Sequence, residues 1–227
     1  MDFIWGLADL GGVLDASLGE FRYGISIGKR LDGRIVDGLL DGPTREYFEH
    51  YRAVNDQLAA IAGGIVEDLR GHGIEAMAIA PTVSGRDLDT IYAADLRTPF
   101  PHKMAATRAG LGWIGKCALF VSKRFGPRLR LVTVLTDRPV GPVGHPVTKG
   151  RCGTCRVCID GCPAGAVSGA PWDVSVDRDA LLDARKCRNQ CTEFGKRYFD
   201  GDIRICGICV AVCPVGRKES QKPREAL

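Results

Sequence analysis

Ten cysteines stand in this chain of 227 residues, and nine of them fall after residue 150. Seven make two runs, Cys152-x2-Cys155-x2-Cys158-x3-Cys162-Pro163 and Cys206-x2-Cys209-x3-Cys213-Pro214. Thiolates in this rhythm, each run closed by Cys-Pro, match the ligand pattern of a pair of 4Fe–4S clusters, in which the last cysteine of each run crosses to the other cluster. Cluster one then takes Cys152, Cys155, Cys158 and Cys213. Cluster two takes Cys162, Cys206 and Cys209 and needs one further thiolate. Ile203 occupies the place where the second run would begin, so that ligand comes from upstream, from Cys187 or Cys191. Cys117 and one of that pair are left over. Structural zinc also uses Cys-x2-Cys pairs, but in self-contained sets of four, for which the x3-Cys-Pro extension is redundant. Disulfides suit small secreted domains, and the opening MDFIWGLADL, with Asp2 and no basic start, does not read as a signal peptide.

These thiols need elements to hold them, and the chain is long enough for one large or two modest domains. Hydrophobic and charged contents of 45% and 26% are those of a soluble globule. No apolar run approaches the roughly 18 residues needed to cross a membrane. We therefore expect a cytoplasmic protein with no membrane partner. The net charge of +4 lies mainly in residues 151–227, with 13 Lys and Arg against 10 Asp and Glu. This sign suits an acidic electron donor or nucleic acid, although so small an excess is the ordinary state of a solvated surface.

The stretch DRPVGPVGHPVTKG (137–150) is dense in Pro and Gly and reads as a connecting loop. It divides an α+β cofactor or substrate domain, residues 1–140, from a cysteine-rich domain, 150–216, with a polar, frayed tail at 217–227. In the first domain Tyr23–Ile27 and Ile74–Ile79 read as strands. Between them Thr44 is the expected N-cap of a long helix whose apolar positions Tyr47, Tyr51, Val54, Leu58, Ile61, Ile65 and Leu69 form one stripe, ended by Gly71 and Gly73. His102–Ala109 reads as helix. Ala118–Ser122 and Leu129–Leu135 read as strands paired across Phe125-Gly126-Pro127, giving an α+β layer on a mixed sheet.

Gly110-Leu-Gly112-Trp113-Ile-Gly115 is a literal G-x-G-x-x-G. A dinucleotide fingerprint would follow a strand, open a helix and find an acid about 20 residues on. Here helix precedes, strand follows, and Arg130 stands near that position. The glycines more plausibly let backbone approach a flat cofactor, with Trp113 as a planar surface and Lys116 as a basic group at the site mouth.

Ala109-Gly-Leu-Gly-Trp-Ile-Gly-Lys116, followed about 35 residues later by Cys-Gly-x-Cys-x2-Cys-x3-Cys-Pro, resembles epoxyqueuosine reductases and their relatives, as do Cys187 and the second run. The resemblance covers roughly residues 75–215. It implies a nitroreductase-like, mixed-sheet N-terminal domain beside a ferredoxin-like one with two 4Fe–4S clusters, and a kinship with reductive dehalogenases. It implies cobalamin as a further cofactor, and it makes Cys187 the missing ligand and Cys191 a spare. Family enzymes are longer and usually end in helical repeats that help hold tRNA, whereas this sequence stops just after the clusters. It therefore reads as a short paralogue for which tRNA is a doubtful partner. The family's proton-donating Asp falls, by an ungapped count, on Leu96, with Asp95 beside it.

Two functions follow. In the first, a reductase takes electrons from a low-potential donor of ferredoxin or flavodoxin type and relays them to cobalamin or a similar cofactor. It then acts on a small or nucleoside-like substrate, with Asp95, His102 or Lys103 as proton donor. In the second, the chain is an electron-transfer partner, for example one that reactivates a corrinoid protein, without substrate chemistry of its own. Cys117 is expected to be a small core residue.

Overall fold

The computed structural model describes residues 2–82, 95–199 and 203–220. Its strands are β1 (Phe3–Asp9), β2 (Tyr23–Arg30), β3 (Ala76–Ile79), β4 (Gly112–Ile114), β5 (Phe120–Ser122) and β6 (Leu129–Thr136). The larger sheet has the order β1-β2-β6-β3, and β4 pairs with β5 in a small second sheet. Every pairing between these strands is antiparallel. This corrects two expectations. The sheet is not mixed among the described residues, and Phe120–Ser122 pairs with Gly112–Ile114 rather than with Leu129–Thr136. Ser122 supplies the reason. Its N–H donates to Gly126 O at 2.8 Å and its Oγ accepts from Phe125 N at 2.8 Å, which closes a local turn. Pro127 then leads the chain away into the main sheet, where β6 aligns with β2 from Tyr23↔Thr136 to Arg30↔Leu129.

The helices are α1 (Gly33–Asp37), α2 (Arg45–Gly71), α3 (His102–Arg108), α4 (Val157–Asp160), α5 (Arg178–Leu181), α6 (Ala184–Tyr198), α7 (Ile208–Ala211) and α8 (Arg217–Ser220). Thr44 caps α2 as expected, its Oγ1 accepting from Tyr47 N at 3.1 Å. The α2 stripe lies on the sheet, burying Tyr47, Val54, Leu58, Ala62 and Val66 with Ile25, Ile27, Val132 and Val134. Each large aliphatic side chain there contributes roughly 1.5–3 kcal/mol. After α2 the chain turns at Gly73 in a left-handed conformation, φ +72°.

The Pro- and Gly-rich stretch is fastened rather than loose. Gly144 N donates to Leu7 O at 2.7 Å, Val147 N to Thr107 O at 2.9 Å and Gly150 N to Trp172 O at 2.7 Å. Further ties join the sheet layer to the cysteine-rich half. Arg128, fully buried, donates to Asp37 Oδ1 and Ala211 O, both at 2.7 Å, and so links β6, α1 and α7. Gly126 and Gly216 meet backbone to backbone. A Cβ on Gly126 would run into Val215 O, and one on Gly216 into Phe125.

Candidate iron–sulfur centre

Short turns hold the first cysteine run. Cys155 N donates to Cys152 O at 3.1 Å, α4 carries Cys158, and Cys162 N donates to Ile159 O at 3.2 Å. Cys162 Sγ accepts from Ala166 N at 3.4 Å, the kind of amide–sulfur bond that steadies a thiolate. The second run turns at Gly207, φ +97°, where a Cβ would press on Leu39 at 2.7 Å and on the Tyr47 ring at 3.2 Å. Only glycine lets this loop sit against α2. Cys187 and Cys191 stand one turn apart on α6, which Asp183 caps by accepting from Lys186 N. All ten thiols are free.

The tertiary fold sorts the thiols into two sets. Cys213 lies near Cys152, Cys155 and Cys158. Cys206 lies near Cys162 and Cys187, and Cys191 near Cys187, Cys206 and Cys162. The thiols do not converge on single points: among the described residues no three His, Cys, Asp or Glu side chains are placed to hold one metal ion. Burial pushes the Cys213 thiol up to about 11. Hydrogen bonding between Cys187 and Cys191 favours the thiolate on Cys187 and the thiol on Cys191.

The Gly110–Lys116 turn abuts these sets. A Cβ on Gly115 would stand 3.7 Å from both Cys152 Sγ and Cys117 Sγ. Lys116 Nζ donates to Gly153 O at 2.8 Å and Cys155 O at 3.1 Å, so it straps the first cysteine loop. The other glycines approach protein. A Cβ on Gly110 would meet His145 O at 2.7 Å, and one on Gly112 would overlap Val121 O. Trp113 is buried, its Nε1–H has no acceptor among the described residues, and Arg151 lies 6.0 Å from its ring centroid.

The proposed acids fare differently. His102 is packed against the sheet, donating from Nε2 to Ala80 O at 2.8 Å and accepting at Nδ1 from Thr133 Oγ1 at 3.0 Å. Burial pushes its pKa down to about 4, so the ring is neutral at pH 7. Desolvation thus leaves His102, one of the expected proton donors, without the imidazolium that acid work at neutral pH would use. Asp95 is exposed and accepts from Arg97 N at 2.9 Å. Leu96 beside it is buried at φ +57°, a left-handed backbone held by Arg178, which donates to the carbonyls of Asp95 and Leu96. Lys103 Nζ donates to Ala118 O at 3.1 Å, and burial lowers its pKa. Cys117 is buried, as expected of a small core residue. Sequence reasoning missed that the Gly115 turn brings it to the edge of the first cysteine run, since no local pattern around residue 117 signals that neighbour.

Residues 151–216 match a 4Fe-4S double cluster binding domain. An epoxyqueuosine reductase of Cyclobacterium marinum is 32% identical over 137 residues, covering 57% of this chain and 41% of that protein. Another, from Aliivibrio fischeri, is 27% identical over 178 residues, covering 75% of this chain and 40% of that protein. The chain is similar in sequence to epoxyqueuosine reductases over part of their length. Its matched segment spans about 40% of the length of these curated relatives. In fold it is similar to a catabolic reductive dehalogenase, with a TM-score of 0.66 at 19% identity, over 96% of this chain and 31% of that one. It is also similar to an epoxyqueuosine reductase solved with an epoxyqueuosine-modified tRNA-Tyr stem loop, with a TM-score of 0.56 at 18% identity, over 95% of this chain and 61% of that one. Among the described residues no helix is long and apolar enough to cross a membrane.

Proposed function

We propose that this chain is an iron–sulfur oxidoreductase whose two cysteine sets each hold a 4Fe–4S cluster, within a ferredoxin-like domain beside a nitroreductase-like layer. Cys152, Cys155, Cys158 and Cys213 would hold one cluster, and Cys162, Cys187, Cys206 and Cys209 the other. The observation that carries this reading is the company Cys213 keeps. It lies near the three leading cysteines of the other run, as crossed ligation requires. When bound, the clusters supply a one-electron relay. The protein holds the thiols half-buried and fixes the loops through Lys116 and Gly207.

The end of that relay is a cobalamin or a similar acceptor, supported by the fold likeness to a reductive dehalogenase described as B12-dependent. The Gly110–Lys116 turn offers little fit to a corrinoid face, since Gly110 and Gly112 close on protein backbone and Trp113 is buried. The relatives keep a nucleoside, including one carried on tRNA, among the candidate substrates. Electrons would come from a low-potential ferredoxin or flavodoxin.

The second reading, an electron-transfer protein serving a partner such as a corrinoid protein, is favoured by the acids. His102 is neutral, and an ungapped count sets Leu96, beside Asp95, against the family's Asp. Anaerobic purification with iron, sulfide and cobalt analysis, followed by corrinoid titration watched in the visible spectrum, separates the readings. Eight irons with a corrinoid shift support the reductase, and eight irons without one support the carrier. An iron-free protein carrying zinc refutes both.

A further inference from the structure

Helix α6 divides into two faces. On the inner one Phe194 and Gly195 are buried and Cys187 and Cys191 half-buried. This face lies so close to the second cysteine run that a Cβ on Gly195 would overlap Ile203 O, three residues before Cys206. The C-terminal end is pinned to α2, where Phe199 packs on Phe48 with 5.6 Å between ring centroids. The outer face presents Arg185, Lys186, Asn189, Glu193, Lys196 and Arg197, all exposed. With Arg188 the helix carries five cations against one carboxylate, Glu193. That excess of four equals the net charge of the whole chain, so everything outside α6 balances. Two carboxylates temper the face, Asp183 at 3.8 Å from Lys186 and Glu193 at 3.0 Å from Lys196, while Arg197 lies over the Tyr198 ring. Spread over the surface, such an excess would be ordinary. Gathered on one helix it makes a directed field.

The two-cluster reading above is the basis of this inference, which names where electrons enter. We propose that the outer face of α6 is the docking surface for an acidic ferredoxin that reduces the cluster held in part by Cys187. Two observations select this partner. The face is cationic, and complementarity calls for an acidic surface opposite it. Its reverse side carries a cluster ligand, and a helix with its side chains is only about 10–12 Å across, so a carrier bound there brings its redox centre close to the cluster. A nucleic acid would answer the charge but would make no use of the thiol beneath. In each encounter one electron leaves the reduced iron–sulfur centre of the ferredoxin and one enters the cluster, with no bond made or broken.

The test uses holoprotein purified anaerobically and an acidic 2Fe–2S ferredoxin, reduced with dithionite and freed of it. Stopped-flow mixing follows the return of the oxidised ferredoxin spectrum. Lys196→Gln with Arg197→Gln is one variant, and Arg185→Gln with Lys186→Gln, at the other end of the helix, is a second should the first lose iron. Arg70→Gln with Arg138→Gln removes the same charge from exposed positions at the far end of α2 and the sheet. At low salt either α6 pair should lower the second-order rate constant about tenfold, and added salt should erase most of that difference. The control pair should stay within about twofold of wild type. Reduced methyl viologen, a small cation that needs no docking surface, should reduce all the proteins at one rate. Equal slowing by the α6 and control pairs, or slowing of methyl viologen by the α6 pairs, would overturn the proposal. So would a wild type that methyl viologen reduces and ferredoxin does not. Unchanged ferredoxin rates with a loss of tRNA retention in a gel-shift assay would turn the face into a nucleic-acid surface and overturn it too. A wild type without eight irons defeats the underlying reading instead, and is recognised before any variant is made.

Discussion

Neutral His102 makes acid sensitivity a measurable property of this fold. The ring is buried against the sheet, its pKa held at about 4 by desolvation, while in the unfolded chain it returns to the ordinary value near 6.5. Between these values the unfolded state binds more protons, so stability rises with pH through this window and is lost as pH falls. The contribution is fully present above about pH 6.5. At pH 5 protonation of the unfolded ring alone stabilises that state by about 2 kcal/mol, whereas the folded ring is almost unprotonated. The assay is anaerobic urea unfolding at pH 7 and pH 5, in wild type and in His102→Gln, whose amide keeps a donor and an acceptor but does not titrate. Acid effects on the clusters are common to both proteins and cancel in the difference. Wild type should lose about 2 kcal/mol more than the variant between the two pH values. Equal losses would refute the buried neutral ring and return His102 to the list of proton donors.

Other perturbations act on the cysteine sets and the joint between the halves. Cys213→Ser should damage the cluster held by Cys152, Cys155 and Cys158, and spectroscopic loss of the cluster at Cys206 and Cys209 instead would rule out crossed ligation. Cys187→Ser should lower iron content far more than Cys191→Ser; equal losses would count against Cys187 as the ligand. Asp37→Ala removes a carboxylate from the fully buried Arg128 guanidinium, costing about 3–5 kcal/mol in urea unfolding, and a loss below 1 kcal/mol would show that the carbonyl acceptors suffice. Gly126→Ala forces a side chain into a left-handed position (φ +58°) facing Val215 O, and should cost at least about 1 kcal/mol, read from the same unfolding curves.

The cluster motif was legible because its information is local. Cys152, Cys155, Cys158 and Cys162 lie within 11 consecutive residues, and the spacing survives any arrangement of the rest. The α2 stripe was legible for the same reason, since a 27-residue helix repeats its signal many times. Strand β1 was not, because FIWGLAD alternates weakly and its burial comes from β2, about 20 residues away. The pairing of β5 failed on a single turn, where the Ser122 hydroxyl closes on Phe125 and diverts the chain before Leu129. The state of His102 depends on Ala80 and Thr133, 22 and 31 residues distant, so neither its spacing nor its neighbours could announce a depressed pKa.

The same tertiary contacts bear on where a proton would come from if the chain is a reductase. Asp95 is exposed, and its carboxylate faces the Arg97 backbone N–H and, at 3.9 Å, the Arg97 guanidinium. His102 carries at pH 7 only the Nε2 proton that it donates to Ala80. Lys103 differs from both. It is buried near Cys117 and donates to a carbonyl, Ala118 O, at 3.1 Å. Burial lowers its pKa first, with the nearby Arg178 and Arg97 charges adding to the effect, which makes the ammonium a stronger acid than a surface lysine. Arg178 and Arg97 are themselves fixed, Arg178 on the carbonyls of Asp95 and Leu96 and Arg97 on Asp177 and Asp179. The loop through Asp95 and Leu96 thus also keeps two cations near Lys103. If the chain is a reductase, Lys103→Met should then slow turnover more than Asp95→Asn, and the reverse order would return the acid role to the carboxylate.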